Sequence, residues 1–282
     1  MPYPILTLPY PFAKRLRQLL NPLELSELQK AAGHDVINTL KPILKTLNVY
    51  TVFFGPHFNN DHKVNFTDGL YYGTTLISFS KNDHYFIKCD HAVFYDISDT
   101  ALENFNINQK ILMDAIRVEF RDCHVSIDFL TILSKIFVEP LLQFDARRCH
   151  QVDEDINFST ILNIFPHITY IALQKAYSGW FYDLVSTGKK FHVVEVFNFD
   201  FKNLFSFEPE QLYDFVTKQY SDFYICLFVK TDDVDATLDK LKPFIEPRFD
   251  TKANGTVKVV VTVVLNDNTF FLRQLYYYNT IC

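Results

Sequence analysis

The stretch ITYIALQKAYSGWFYDLVSTGKKFHVVEVFNF, residues 168–199, contains two short apolar runs separated by one helix-like segment. The first run, ITYIAL, begins at Ile168 and has apolar residues three and five positions later. The second, VEVFNF, repeats this pattern from Val194. Because side chains alternate between the two faces of a strand, each run predicts a strand with one apolar face. Strand, helix and strand in this order predict two parallel neighbours in one sheet.

The same pattern occurs five times along the chain. The runs AIRVEF, LLQFDA, ITYIAL, VEVFNF and YSDFYI start at residues 115, 141, 168, 194 and 220, at intervals of 26 or 27 residues. Each run is followed by a helix-like segment, namely SIDFLTILSKIF, NFSTILNIF, GWFYDLVSTG, PEQLYDFVTKQ and DATLDKLKPFI. A strand and a helix repeated at this period are typical of a leucine-rich-repeat-like α/β solenoid. The final segment predicts a capping β-hairpin that turns at Asn266-Asp267-Asn268.

Two further regions precede the repeats. Residues 48–100 contain the short β-rich runs VYTVFF, HKVNF, TTLISFS and HYFIKC, separated by turn residues, and predict a small antiparallel sheet. Residues 1–46 are predicted to be helical, and Pro22 is suited to the first turn of a second helix. The predicted divisions are therefore a helical segment at 1–46, a β-rich N-terminal cap at 47–110, and the repeat domain with its hairpin at 111–282.

The composition argues against several classes of function. A net charge of −6, from 27 basic and 33 acidic residues, argues against a nucleic-acid partner. With seven glycines and no phosphate-binding loop, GxSxG or HExxH motif, the chain offers no familiar catalytic pattern. We expect no catalytic residue and no cofactor.

The sequence also predicts a location inside the cell. Five cysteines without a CxxC pair indicate a reduced protein. Lys14, Arg15 and Arg17 fall where the apolar part of a signal peptide would lie. The apolar run 257–265 is too short to span a bilayer, so no membrane partner is expected. We expect a cytoplasmic protein, with the nucleus as the alternative.

The polar side chains of the predicted strands form a candidate binding surface. Residues two, four and six positions after the start of each run point away from its apolar face. Rigid, laterally extended repeat surfaces suit protein recognition, and mixed charges favour a polar protein partner. The predicted substrate-binding residues are Arg117, Glu119, Arg121, Gln143, Asp145, Arg147, Tyr170, Gln174, Asn198, Asp200, Asp222 and Tyr224.

Three cysteines have a histidine nearby in the sequence, in Cys89-x-His91, Cys123-His124 and Cys149-His150. The last two pairs occupy equivalent positions in consecutive predicted repeats, so a metal-dependent enzyme is an alternative function. Zinc requires four converging ligands, however, and free cysteine is among the most buried residue types. Cys123 and Cys149 also fall where leucine-rich repeats favour a small buried residue. We therefore predict buried structural cysteines and no metal.

The N-terminal stretch PILTLPYPFAKRLRQLLNPLELSEL, residues 4–28, resembles an F-box. The family pattern is a Leu-Pro start, an amphipathic helix, a proline after a short turn and a second apolar helix, and Leu8-Pro9 and Pro22 fit it without a gap. More narrowly, the chain is similar to nematode-type F-box proteins with an F-box-associated, leucine-rich-repeat-like C-terminal domain. The residues that the resemblance assigns to adaptor binding are Ile5, Leu6, Leu8, Pro9, Phe12, Leu16, Leu19, Leu20, Pro22, Leu25 and Leu28.

The resemblance implies a non-catalytic function. The F-box at 1–46 would dock on a Skp-family adaptor and through it on a cullin, and the domain at 111–282 would present one protein substrate for ubiquitylation and degradation. A foreign or toxin protein is among the substrates that the family implies. Two alternatives stay open, namely a repeat-type protein that sequesters its partner without a ligase, and the metal-dependent enzyme.

Overall fold

The computed structural model describes Arg15, Leu20, Glu24 and residues 44–55, 63–67, 74–78, 84–105, 107–174, 176–198, 200–246, 248–250, 257–265 and 271–279. Most of the predicted F-box lies outside these residues. Leu20 is half-buried, and it is the one predicted adaptor-binding residue that the structure describes. The adaptor-binding role of Ile5, Leu6, Leu8, Pro9, Phe12, Leu16, Leu19, Pro22, Leu25 and Leu28 therefore stays a prediction.

The strands have the following bounds: β1 (Leu44–Asn48), β2 (Thr51–Phe54), β3 (Lys63–Thr67), β4 (Thr74–Ser78), β5 (His84–Tyr95), β6 (Ile111–Arg121), β7 (His124–Val125), β8 (Gln143–Arg148), β9 (Gln151–Val152), β10 (Tyr170–Leu173), β11 (Val193–Asn198), β12 (Tyr224–Thr231), β13 (Phe249–Asp250), β14 (Val257–Leu265) and β15 (Phe271–Asn279). The helices are α1 (Asp99–Phe105), α2 (Ile107–Lys110), α3 (Ile127–Ser134), α4 (Phe158–Ile164), α5 (Trp180–Ser186), α6 (Phe201–Leu204), α7 (Pro209–Thr217) and α8 (Val234–Ile245). The chain divides into two compact units. The first extends to Leu141 and includes His150–Asp153, and the second comprises Leu142–Cys149 and the residues from Glu154 onward.

In the first unit, β5 is a central strand with parallel neighbours on both sides. It pairs with β6 on one side and with β1 and β2 on the other. β1 and β2 follow one another along β5, with Asn48 opposite Lys88 and Thr51 opposite His91. From β2, the strands β3 and β4 continue in antiparallel order.

The predicted fold class is wrong in this unit. HYFIKC was expected to end a small antiparallel sheet within residues 48–100, ahead of a solenoid that starts at 111. Instead it opens the 12-residue strand β5, which pairs in parallel with β6. Ala92, Val93 and Phe94 are fully buried, as expected for an interior strand with a neighbour on each side. Apolar alternation does not distinguish a parallel from an antiparallel partner, so the sequence pattern left the direction undetermined.

The helical prediction for residues 1–46 is also wrong at its C-terminal end. Residues 44–48 form β1, which pairs with β5 from Leu44 opposite His84 onward. Pro42 lies just before this strand, and proline disfavours a helix that runs through it. The helical pattern of residues 44–48 is weak next to this proline, and pairing with β5 determines that they form a strand.

The second unit contains five parallel strands side by side in chain order. Their order is β8, β10, β11, β12 and β14. β14 then pairs with β15 in the antiparallel direction, as the hairpin pattern predicts, and β13 pairs with β15. The predicted turn at Asn266-Asp267-Asn268 lies outside the described residues.

The prediction of a leucine-rich-repeat-like solenoid, which depended on a constant repeat interval, is wrong. In register, Gln143 lies opposite Tyr170, Tyr170 opposite Val193, and Val193 opposite Tyr224, so the offsets are 27, 23 and 31 residues. The connections differ in length because one helix separates β10 from β11 whereas α6 and α7 both lie between β11 and β12. The observed class is α/β with mostly parallel strands joined by unequal helical connections, and not a regular leucine-rich repeat.

Local capping explains where the helices begin. The side chains of Ser126, Asn157 and Asp233 accept hydrogen bonds of 2.7–3.0 Å from the backbone N–H three residues later, which begins α3, α4 and α8. Gly179 takes a φ of 77° directly before α5, a conformation that suits glycine. Each of the five predicted helix-like segments contains a helix.

Candidate functional site

A buried carboxylate with basic neighbours lies on the polar face of β5 and β6. The Glu119 side chain is 7% exposed and accepts a 2.6 Å hydrogen bond from Arg121 Nε. Its other oxygen lies 3.1 Å from His91 Nε2 and 3.4 Å from Arg117 Nη2. Three of the predicted substrate-binding residues therefore meet in one cluster. They are joined by His91, which the sequence had offered only as a possible metal ligand.

The environment of Glu119 favours its ionised form. Burial alone raises the pKa of this carboxyl, but the contact with His91 Nε2, and the hydrogen bond and positive charge of Arg121, hold it well below the usual range. A carboxyl whose pKa is lowered by folding adds stability at pH values above its unfolded pKa of about 4.3. That contribution is lost as the pH falls below this value toward the pKa of the folded state.

We expect Glu119→Gln to alter the acid dependence of stability. Between about pH 6 and pH 3.5, the difference in free energy of unfolding between wild type and variant should shrink by about 1 kcal/mol, because wild-type Glu119 begins to take up a proton on unfolding. Urea denaturation at several pH values measures this difference. The control Glu103→Gln changes an exposed carboxylate in the same unit and should follow the wild type. A constant difference at all pH values would contradict the assignment.

The second unit contains a buried arginine–carboxylate network on the polar face of its sheet. Arg147 binds Asp145 through two contacts, Nε to Oδ1 at 2.8 Å and Nη2 to Oδ2 at 2.5 Å. Its Nη1 donates to Glu195 Oε2 at 2.5 Å. The side chains of Asp145 and Glu195 are only 2% and 9% exposed. Burial alone lowers the pKa of Arg147, but these carboxylates outweigh it and raise the pKa.

The sequence prediction found Asp145 and Arg147 but missed Glu195. It placed Val194 at the start of a repeat, whereas the register aligns Val194 with Ile171, which is three positions further into its own repeat. Because the prediction imposed a nearly constant repeat interval, it assigned the wrong alternating set of β11 residues to the core. Both alternating sets of VVEVF are largely apolar, so the pattern itself did not reject the wrong face. The single charge in that run was the available signal, because an acidic residue within an apolar strand requires a partner.

Gln143, Tyr170 and Tyr224 share one row across the polar face of the second unit, with one valine between the two tyrosines. All three are half-buried. Burial, and then the neighbouring Cys226 and Glu195, raise the pKa of Tyr224. This phenol therefore stays protonated near the arginine–carboxylate network and extends the predicted surface.

The other four predicted residues do not join this row. Asp200 caps α6 by accepting a 2.9 Å hydrogen bond from the backbone N–H two residues later. Asp222 precedes β12 and lies 2.8 Å from Nδ1 of the half-buried His192. Gln174 follows the end of β10, and the position of Asn198 belongs to the opposite face of β11 from Glu195. Their role in substrate binding stays a prediction.

Three cysteines in the described part of the chain are poorly suited to nucleophilic chemistry. Burial raises the pKa of Cys89 and of Cys226 to about 12, and that of Cys123 to about 11. The Cys123 thiol contacts the carbonyl oxygen of Phe94 at 3.3 Å. Because the thiolate is both the nucleophile and the metal ligand, these protonated thiols favour a packing role.

The histidines next to these cysteines have other neighbours. His124 Nε2 lies 2.6 Å from Asp153 Oδ1, and His91 contacts Glu119. Within the described ranges, no three His, Cys, Asp or Glu side chains form a group that could hold a metal ion. None of the helices that the structure describes combines the length and the apolar character needed to cross a bilayer.

The clearest features of the described chain are thus two charge clusters, one on the polar face of each unit's parallel strands. Both clusters are built for rigidity, since each buried charge has an opposite charge within hydrogen-bonding distance. Comparisons with protein-family models, with curated proteins and with solved structures found no match.

Proposed function

We propose that this chain is the substrate-recognition subunit of a Skp-cullin-F-box ubiquitin ligase. The observation that carries the proposal is the spacing within residues 4–28, where Leu8-Pro9, an amphipathic stretch, Pro22 and a second apolar stretch follow in the order of an F-box. Two short helices, as the F-box pattern predicts them, would not cover such an apolar stripe by themselves, and an adaptor protein would remove it from water. In such a complex this chain would catalyse no reaction.

The described units support the substrate-holding part of this proposal. Their parallel strands carry side chains that ion pairs already hold in place, such as Arg147 with Asp145 and Glu195. A preorganised surface loses less conformational freedom on binding than a mobile one. Tyr170 and Tyr224 lie half-buried on the same face, and tyrosine is enriched among residues that dominate protein interfaces.

We expect the double variant Leu8→Glu with Pro22→Ala to lose adaptor binding. A buried carboxylate on the docking face is costly, and the proline sets the start of the second helix. Co-purification of the full-length chain with a Skp-family adaptor should fall at least tenfold. The matched control is Arg15→Gln with Glu24→Gln, which changes two exposed residues of the same segment. If the wild-type chain fails to retain the adaptor, the proposal is wrong.

A second candidate function is sequestration of a partner without a ligase. It is favoured by residues 29–43, QKAAGHDVINTLKPI, which lack the aromatic residue and the basic pair that follow in the F-box family. The two functions differ in the fate of the partner. A ligase subunit shortens the partner's half-life, and proteasome inhibition restores it. A sequestering protein leaves the half-life unchanged under both conditions.

A further inference from the structure

We propose that the groove between α5 and α7 binds an acidic protein segment through one apolar anchor side chain. This inference rests on the proposed function, because it names the site and the chemical class of the presented substrate. The groove has a volume of about 370 Å³. The residues that the argument uses are Phe181, Tyr182, Val185, Lys190, Phe215 and Lys218.

The groove exposes large apolar side chains above a fixed floor. Tyr182 is 53% exposed and Val185 44% exposed, whereas Phe181 and Phe215 beneath them are buried. Phe181 stacks on Phe207 at a centroid distance of 4.2 Å and packs edge-on against Phe215 at 5.6 Å. These aromatic contacts keep the floor in place, so an incoming apolar side chain would meet a preformed surface.

The rim of the groove is positively charged. Lys189, Lys190 and Lys218 line it, with Asp214 as the only carboxylate among the lining residues. The local charge is therefore about +2 in a chain whose net charge is −6. The Lys189 ammonium binds the carbonyl oxygen of Pro166. Charge complementarity between the rim and an acidic segment would steer the partner to this site.

Two of these lysines have no carboxylate to give up. Lys190 and Lys218 are exposed, and within the part of the chain that the structure describes neither forms an ion pair with a carboxylate. The Lys190 ammonium lies 5.9 Å from the centre of the Tyr220 ring, an exposed cation–π contact that is weaker than a buried ion pair. On the polar sheet face, in contrast, Arg147 is already bound to two carboxylates. A charged partner on that face would have to compete with buried ion pairs, which costs free energy, whereas the groove requires no such exchange.

The size of the groove limits the partner. Its volume lies at the lower end of the roughly 300–1,000 Å³ that is usual for ligand sites, so it admits one large side chain and not a whole helix. Acidic residues on both sides of that anchor would then reach the exposed Lys190 and Lys218. The expected ligand is a short segment with an aromatic or aliphatic centre and flanking Asp or Glu residues.

A fluorescein-labelled dodecapeptide tests this inference. Its centre is Trp-Leu and its flanks are Asp and Glu, and binding to the full-length chain is followed by fluorescence polarisation. We expect saturable binding that weakens about tenfold with Gln and Asn flanks, and similarly with a Ser-Ser centre. Raising the salt from about 50 to 300 mM should also weaken it, because screening reduces attraction between exposed charges.

Charge-reversal variants locate the binding site. Lys190→Glu with Lys218→Glu should weaken binding of the acidic peptide at least tenfold, while the thermal unfolding midpoint stays close to that of wild type because both residues are exposed. The matched control, Lys202→Glu with Lys240→Glu, makes the same charge change on exposed residues of α6 and α8 and should bind like wild type. Two results would overturn the inference, namely no saturable binding up to about 1 mM peptide, or unchanged affinity in the Lys190 and Lys218 variant.

The peptide assay and the adaptor assay fail independently. The peptide assay contains no adaptor, so loss of adaptor capture does not affect its outcome. If the peptide does not bind while the adaptor still co-purifies, the groove assignment is wrong and the proposed ligase function stands. If the peptide binds and the adaptor does not, the binding site remains and the chain belongs to the sequestering class.

Discussion

Arg147→Met is expected to lower the free energy of unfolding by about 3–5 kcal/mol. The arginine holds two acidic side chains, Asp145 and Glu195, that are almost completely removed from water. Without its guanidinium, two negative charges would share a buried site, and breaking a buried ion pair by removing one partner is far more costly than removing both. Arg147→Lys should lose less, because it keeps the charge while losing the paired contacts.

Urea denaturation monitored by circular dichroism measures this effect. The triple variant Asp145→Asn, Arg147→Met and Glu195→Gln removes all three charges and should recover much of the lost stability. Arg248→Met is the matched control, because Arg248 pairs with Glu210 at 2.9 Å on an exposed surface, and it should change stability little. If Arg147→Met has the same free energy of unfolding as Arg248→Met, the ion pairs of Arg147 do not stabilise the fold.

Trp180→Ala is expected to cost about 3–5 kcal/mol as well. The indole is fully buried, at centroid distances of 5.5 Å from Phe181, 5.7 Å from Phe207 and 6.1 Å from Phe158. Its Nε1–H donates to the backbone carbonyl oxygens of Asn203 at 3.1 Å and of the buried Leu204 at 3.2 Å. Truncation to alanine would leave a cavity among four aromatic or backbone neighbours and remove a donor from a buried carbonyl.

The control for Trp180 lies two residues earlier. Ser178 is exposed, and Ser178→Ala should unfold like wild type. Trp180→Phe keeps an aromatic ring in the site and should fall between wild type and Trp180→Ala. A loss of less than about 1 kcal/mol for Trp180→Ala would mean that this aromatic cluster is not the core of the second unit.

The groove on the helical side could not have been chosen from sequence alone. Tyr182 and Val185 lie in α5 and Lys218 directly follows α7, both of which the sequence predicts as helical segments, but a helical pattern does not reveal which neighbour a helix packs against. The exposed apolar pair and the lysines come together only because α5 and α7 pack next to each other over Phe181 and Phe215.

The polar face of the strands was predicted in part. Arg117, Glu119, Arg121, Asp145 and Arg147 follow directly from alternation, and the structure brings them into two clusters. Their missing partners, His91 and Glu195, lie on other strands. The sequence pattern did not show how those strands align with β6 and β8. The prediction also treated these residues as available to a partner, whereas the structure uses their charges internally.

Local sequence patterns were enough to predict the helical segments that contain α3, α4, α5, α7 and α8, and the residues of β6 and β8 that face the core. These properties depend on neighbours within a few residues, through capping, turn chemistry and the two-residue alternation of a strand. Local patterns did not reveal that β5 is parallel to β6, that β8, β10, β11 and β12 are offset by 27, 23 and 31 residues, or that Glu195 meets Arg147. Register and strand direction are set by packing between distant segments, and the entropic cost of a longer connection between two paired strands rises only slowly with its length.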